Sequence, residues 1–220
     1  MNTTRIYVVR HGKTIFNAMD RVQGVCNAPL IDSGKAEIAA IGKRFAKRNW
    51  KIGATYHSYL GRTQETLDIL KSELGLGMNS AIVHGIEEWN FGSFEGFENA
   101  RWLFLEVLPR VVGKEKLEDM TCDEIANAFH EIDTLKIAPT WDELRERILN
   151  GFIEVARDCR AKGVNGLAVS HGMTMIALHY ILTGDTLVSG SIKNGGLMEL
   201  SFDGESLAVT SLEPNILGLN

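Results

Sequence analysis

Cysteine is sparse in this 220-residue sequence and follows no pairing pattern. Cys26, Cys122 and Cys159 are odd in number, far apart and without a C-x-x-C pair. Such usage predicts free thiols in a reducing compartment, and with them a cytoplasmic location. Long basic runs are absent, and a net charge of −5 with a pI near 5.7 argues against a general nucleic-acid surface. No apolar stretch reaches membrane-spanning length, and the N-terminus shows no charged-then-apolar leader, so no membrane partner is expected. Several catalytic patterns are missing too. Neither H-x₃-H nor H-E-x-x-H occurs, which removes the usual zinc spacings, and no D-x-D is present for aspartyl-phosphate chemistry. The sixth residues after the three cysteines are Asp32, Ala128 and Asn165, so no C-x₅-R phosphatase loop exists. Gly12-Lys13-Thr14 lacks the earlier glycine of a P-loop, because Tyr7 stands there. No metal and no cofactor is expected.

What is present reads as α/β. Hydrophobic residues make up 45% of the chain, enough for the core of one domain over 1–220. Ile6-Tyr7-Val8-Val9, flanked by Arg5 and Arg10, reads as a buried strand of a parallel sheet. An irregular stretch from Gly12 to Leu30 follows, and Asp32-Ser33-Gly34 is expected to cap a helix with Ile38, Ile41 and Phe45 on its apolar face. Ile52–His57 reads as a strand, Leu60–Leu74 as a helix, and Ala81–Val83 as a short strand. From Trp89 to about Thr140 the β-then-α rhythm breaks, and a mostly helical cap insertion is expected over about 97–140. Trp102-Leu103-Phe104-Leu105 within it reads as cap-helix core. Trp141–Lys162 is a long amphipathic helix, Gly166–Ser170 a strand and Gly172–Leu182 a helix. Gly195–Phe202 and Ser206–Leu212, joined at Asp203-Gly204, read as a terminal hairpin.

One internal echo stands out. Ile6–Arg10-His11-Gly12 and Leu167–Ser170-His171-Gly172 are each an apolar strand followed by His-Gly. The dipeptide alone is weak, since about 0.6 His-Gly pairs are expected by chance from this composition and three occur, His84-Gly85 among them. The strand context carries the weight. Ligands of open α/β sheets bind beyond the carboxyl ends of the strands, so parallel neighbours would present both imidazoles at one edge.

Arg10-His11-Gly12-Lys13-Thr14-x-x-Asn17, Arg21-Val22-Gln23-Gly24, Pro29-Leu30 with Gly34, Ser58-x-Leu60-x-Arg62-x-x-x-Thr66, Glu88-x-x-x-Gly92-x-Phe94-Glu95-Gly96 and Ser170-His171-Gly172 occur in that order. Together they resemble the motifs of the histidine phosphatase (phosphoglycerate mutase-like) superfamily. The resemblance implies a three-layer α/β/α sandwich with a mainly parallel central sheet and a cap over the site. It also implies His11 as nucleophile through a phosphohistidine, Glu88 as proton donor, and Arg10, Arg62 and His171 around the phosphoryl group. Asn17, Gln23, Gly24 and Gly172 join these as phosphate-binding residues. The chemistry agrees: a neutral imidazole is a good nucleophile near neutral pH, arginine offers forked donors to non-bridging oxygens, and His171, if protonated, adds a third positive donor. Glu87 competes with Glu88 as the acid. Lys13 stands where the family often has Glu, Ile31 where it has Thr, Glu37 where it has Gln and Phe94 where it has Trp.

The expected activity is that of a phosphomonoesterase acting on a small phosphorylated metabolite. The alternatives are a cofactor-dependent phosphoglycerate mutase, for which the insertion offers only isolated Arg101, Arg110, Lys114 and Lys116, and a non-catalytic phospho-ligand-binding or regulatory member. His57, His84, His130 and His179 read as ordinary polar residues, His57 being the one close in sequence to the Ser58 motif. Self-association into a homo-oligomer stays open.

Overall fold

The computed structural model describes residues 3–187 and 191–218. Its strands are β1 (Thr4–Arg10), β2 (Ile52–His57), β3 (Ser80–Ile82), β4 (Asn165–Ser170), β5 (Leu197–Phe202) and β6 (Leu207–Glu213). They form one sheet in the order β3-β2-β4-β1-β5-β6. The first four lie parallel, while β5 and β6 add an antiparallel hairpin beside β1. Register puts Arg10 opposite Ser170, so the two His-Gly steps follow neighbouring strand ends, as the echo predicts.

Alternation along β1 divides the core. Ile6 and Val8 join one apolar cluster, and Tyr7 and Val9 the other. A strand packed on both faces needs a continuous apolar run, which is what Ile6–Val9 supplies. On the Tyr7 face lie α2 (Asp32–Ala46), with Ile38, Ile41 and Phe45, and α3 (Gly61–Leu74), with Leu67 and Leu70. On the Ile6 face lie α7 (Trp141–Lys162), with Ile148, Phe152 and Val155, and α8 (Gly172–Thr183), with Met175 and Ile176. These are the three layers of an α/β/α sandwich.

Helix ends are set locally. Thr140 and Glu143 form a reciprocal capping box at the start of α7, and Gly163 closes it in the left-handed conformation at φ 68°. For α2 the structure corrects the expected cap: Ile31 is the N-cap, with no side-chain hydrogen bond. Asp32 instead sits in the first turn, where its charge complements the helix dipole. The stretch read as irregular also holds one short helix, α1 (Ile15–Ala18), started by a Thr14–Asn17 capping box.

Between β3 and α7 the chain is mostly helical. α4 (Ala100–Trp102) runs through a π-helical stretch at Leu103–Val107 into α5 (Leu108–Val111), and α6 (Cys122–Ile132) follows. Pro109 has no N–H to return to the preceding turn, which accounts for a widened turn just before it. Phe91, Phe104 and Phe129 pack at centroid distances of 4.8–6.1 Å and tie this region to the body. The reading of Trp102–Leu105 as core holds only in part. Leu103 is buried, but Trp102 and Leu105 are 52% and 47% exposed. The helix must bury one face and leave the other free.

Asp133 fastens the end of this region. Its buried carboxylate accepts from the amides of Ser93, Leu135, Ile137 and Ala138 at 2.7–3.0 Å. Burial alone would raise the Asp133 pKa, but the four amide donors outweigh it and hold the carboxyl below its usual range. Among the described residues, no helix is long and apolar enough to cross a membrane.

Candidate functional site

Four parallel strand ends deliver the singled-out side chains to one place. His11 follows β1, Arg62 enters α3 just after β2, Glu88 follows β3, and His171 follows β4. All four are buried, at 1–5% exposure for His11, Arg62 and Glu88 and 0% for His171. The two imidazole rings lie edge to face with centroids 5.2 Å apart.

Hydrogen bonds assign the tautomer of each ring. His11 Nδ1 lies 2.8 Å from the Gly12 carbonyl, which can only accept, so Nδ1 carries the proton and Nε2 keeps a free lone pair. Burial, then Arg62 and Arg10, holds the His11 pKa well below its ordinary value. The ring is therefore neutral at neutral pH, with the Nε2 lone pair free. His171 Nδ1 accepts from Arg62 Nη2 at 3.0 Å, which leaves the proton on Nε2 to donate to Ser58 Oγ at 2.8 Å. Ser58 in turn meets Thr63 Oγ1 at 3.0 Å, and Thr63 donates to the Leu60 carbonyl. Burial, followed by Arg62 and His11, also holds His171 well below the normal histidine range. This corrects one expectation: His171 is neutral here, and no third positive donor arises from it.

The Arg62 fork is occupied as well, and that of Arg10 in part. Arg62 Nη1 donates to the Cys26 carbonyl at 2.9 Å, and Nη2 donates to the Gly24 carbonyl at 2.7 Å as well as to His171. Burial lowers the Arg62 pKa to about 10, so it stays charged. Arg10 Nη1 donates to the Ile192 carbonyl at 2.5 Å. What remains is a set of orphans: Arg10 Nε, Arg62 Nε and Gln23 Nε2 are buried donors without a hydrogen-bond partner. A buried unmet donor costs about 1–3 kcal/mol, and Trp89 Nε1 is a further one.

Of the two candidate acids, the structure separates the surroundings. Glu88 lies under the N-terminus of α8 and accepts from the amides of Trp89, Met173 and Thr174 at 2.9–3.1 Å and from Thr174 Oγ1 at 3.1 Å. It is also the carboxylate whose field raises the pKa of both Arg10 and Arg62 against burial. Glu87 points instead toward Arg147 at 3.8 Å and His84 at 4.0 Å.

Two glycines leave space that the site uses. A Cβ on Gly172 would stand 3.1 Å from the Arg10 guanidinium, and one on Gly24 would overlap the Trp89 carbonyl and the Glu95 carboxylate. Asn17 is the third residue of α1 and closes the capping box on Thr14, and its Oδ1 accepts from Thr14 N and Asn194 Nδ2. Gln23 Oε1 accepts from Thr14 Oγ1 at 2.7 Å.

Three supporting residues carried no role in the sequence reading. Glu95 accepts from the amides of Gly24, Val25, Cys26 and Phe91, which shapes the loop whose carbonyls hold Arg62. Asn194 donates to the His11 carbonyl and Asn17, and Arg147 donates to the carbonyls of Glu87 and Glu88. Glu95 had a signal, its place in the Phe94-Glu95-Gly96 motif. The other two are fixed only by tertiary contact. His57 donates to the Ser58 carbonyl at 2.6 Å and has no direct part in the group. Among the described residues, no three His, Cys, Asp or Glu side chains converge as a metal-binding group.

Two neutral buried histidines give a pH dependence of known sign. The unfolded chain protonates them near 6.5, the folded protein only well below that value. Below about 6.5 the unfolded state therefore binds more protons, and stability falls as pH falls. Denaturant midpoints are expected to drop between about pH 7.5 and 5.5, and to drop less in His171→Asn. A flat or rising midpoint would contradict the assignment.

Comparison with known proteins places this geometry in context. The family model for the histidine phosphatase superfamily (branch 1) matches residues 6–214. Over 74 residues the chain is 39% identical to the "Probable phosphoglycerate mutase GpmB" of Yersinia pestis (strain Pestoides F), a match covering 34% of each protein's length. A phosphoglycerate mutase from Bacillus anthracis str. Sterne superposes with a TM-score of 0.86 at 24% identity, covering 96% of this chain and 92% of that one. A phosphoserine phosphatase from Entamoeba histolytica superposes at 0.68 with 18% identity and 96% coverage of both. These two likenesses are of fold.

Proposed function

The chain belongs to branch 1 of the histidine phosphatase superfamily, and on that premise we propose that it is a phosphomonoesterase of small phosphorylated metabolites. The observation that carries the reading is a neutral imidazole with a free Nε2 within the field of two buried guanidinium groups, Arg62 and Arg10. A phosphoryl group supplies several acceptor oxygens and an electrophilic phosphorus.

His11 Nε2 attacks phosphorus, the ester P–O bond breaks, and its electron pair leaves on the substrate oxygen. Glu88 gives that oxygen a proton, so the first product is the alcohol. Water then attacks the phosphohistidine, Glu88 takes its proton, and the P–N electron pair returns to Nε2 as inorganic phosphate departs. Arg10 and Arg62 stabilise the oxygens through both steps, and His171 holds the Arg62 guanidinium in place.

The short Yersinia match and the Bacillus fold likeness favour one second reading, a mutase that returns the phosphoryl group from His11 to its substrate. Phosphate release from phosphomonoesters, measured with and without 2,3-bisphosphoglycerate, separates the two. Release independent of the bisphosphate is expected. Isomerisation of phosphoglycerate without net release would overturn the phosphatase reading.

A further inference from the structure

The two carboxylate oxygens of Glu88 are held unequally. Oε1 accepts from the amides of Trp89 at 3.1 Å and Thr174 at 2.9 Å and lies 3.1 Å from Thr174 Oγ1. Among the described residues, Oε2 has the Met173 amide at 3.1 Å as its one hydrogen-bond partner. A carboxylate oxygen offers about two lone-pair directions, so Oε1 is fully served and Oε2 keeps room for a proton.

Thr174, the third residue of α8, has one hydroxyl hydrogen and two acceptors in reach. The Glu87 carbonyl lies at 2.6 Å and Glu88 Oε1 at 3.1 Å. With the hydrogen on the shorter contact, Oγ1 turns a lone pair toward Oε1, which is unfavourable once Glu88 carries its charge. Thr174 is fully buried, so bulk water does not take the place of its hydroxyl. Rotation toward Oε1 would strand the Glu87 carbonyl if that oxygen had no other donor. Arg147 Nη1 donates to it at 2.8 Å. Arg147 reaches this far because α7 packs closely one turn further on, where a Cβ on Gly85 would stand 2.4 Å from the Gly151 Cα. Ser170 Oγ holds the Ile86 carbonyl at 2.8 Å, and Arg147 Nη2 lies 3.4 Å from that of Glu88. The backbone that carries Glu88 is thus fixed whichever way the Thr174 hydroxyl turns.

Resting on the reading in which Glu88 protonates the leaving oxygen, we propose that Thr174 is the positioning residue of that acid. Its hydroxyl bonds the Glu87 carbonyl while Glu88 is protonated on Oε2, and turns to Oε1 as the proton departs. The proton on Oε2 passes to the leaving oxygen, whose bond to phosphorus breaks. The Thr174 hydrogen stays on Oγ1 and changes only its acceptor. A donor that engages as charge forms stabilises the later state more than the earlier one, and that difference speeds proton transfer.

Leaving-group dependence tests the assignment. p-Nitrophenolate departs as a stable anion and needs little protonation, phenolate needs more, and the two phosphate esters bring similar rings to the site. The constant to compare is kcat/KM, which ends at departure of the leaving group and excludes the later attack of water. Thr174→Val keeps the side-chain shape and removes the hydroxyl. It should lower kcat/KM about tenfold on phenyl phosphate and less than about twofold on p-nitrophenyl phosphate, the scale of one hydrogen bond to a forming charge. Thr174→Ser keeps the hydroxyl and should restore most of the loss. Arg10, Arg62 and Arg147 act on Glu88 in all of these proteins, so the comparison isolates the hydroxyl. If the valine variant does not fold, Thr174→Ala gives the same comparison. A second readout needs no turnover. At alkaline pH, the infrared carboxylate stretch that Glu88→Gln removes should shift in Thr174→Val and return in Thr174→Ser. Equal losses on the two esters, no loss on either, or an unmoved band overturns the inference. Failure of the wild type to release phosphate from either ester would instead strike the phosphatase reading, and the infrared band would still decide whether the Thr174 hydroxyl serves Oε1.

Discussion

His11→Asn is expected to lower kcat by about 10⁴-fold or more while leaving the protein folded. The proposed nucleophile is the free Nε2 of a ring whose Nδ1–H is committed to the Gly12 carbonyl. Asparagine keeps an amide donor near the position of Nδ1 and so can hold that carbonyl, but it has no lone pair on nitrogen to attack phosphorus. Loss of activity with an unchanged denaturation midpoint near neutral pH would therefore report chemistry, not unfolding. A merely electrostatic role for His11 predicts a much smaller loss, because the ring is neutral and the positive field comes from Arg10 and Arg62. Retention of more than about a tenth of the wild-type rate would remove His11 from the centre of the mechanism.

Arg62→Lys is the second large effect, and it is expected to reach both rate and stability. Arg62 is 1% exposed, and its two terminal nitrogens bridge the Cys26 and Gly24 carbonyls and the His171 ring while Nε stays unmet. Lysine keeps the charge but offers a single ammonium, which cannot span two carbonyls, an imidazole and a phosphoryl oxygen together. With one or more acceptors left unpaired, a stability loss of about 2–4 kcal/mol follows. The rate should fall about 10²–10³-fold, as when one preorganised donor is removed from a developing charge. His171 would also lose the donor that fixes its tautomer. A near-normal rate in Arg62→Lys would show that charge alone suffices and that the fork geometry is incidental.

Much of this was legible in the residues, and for physical reasons. Buried parallel strands are continuous apolar runs, so Ile6–Val9 and Leu167–Val169 announced themselves, and with them the histidines at their ends. The terminal hairpin was marked by Asp203-Gly204, whose Asp203 carboxylate accepts from the Glu205 and Ser206 amides. Glu88 was favoured over Glu87 by the family spacing to Gly92, and the structure sets Glu88 against the α8 amides and Glu87 beside Arg147. What sequence could not supply was the state of the groups. The neutrality of His171 depends on burial and on Arg62, and the bonds of Arg10 Nη1 and of the Arg62 fork depend on carbonyls from loops far away in the chain. Arg147 and Asn194 bond main-chain carbonyls, a partnership that leaves no mark in residue type. The start of α2 was misplaced by one residue because Asp32 is favourable at the N-cap and also in the first turn.

The direct test is chemical identification of the covalent intermediate. Wild-type protein mixed with a ³²P-labelled monoester and quenched within milliseconds should hold label that is stable in alkali and lost in acid, as expected for phosphorus on nitrogen. Peptide mapping should place it on His11, and His11→Asn should hold none. Label that is acid-stable, that maps to another residue, or that never forms while phosphate is released would contradict a phosphohistidine on His11.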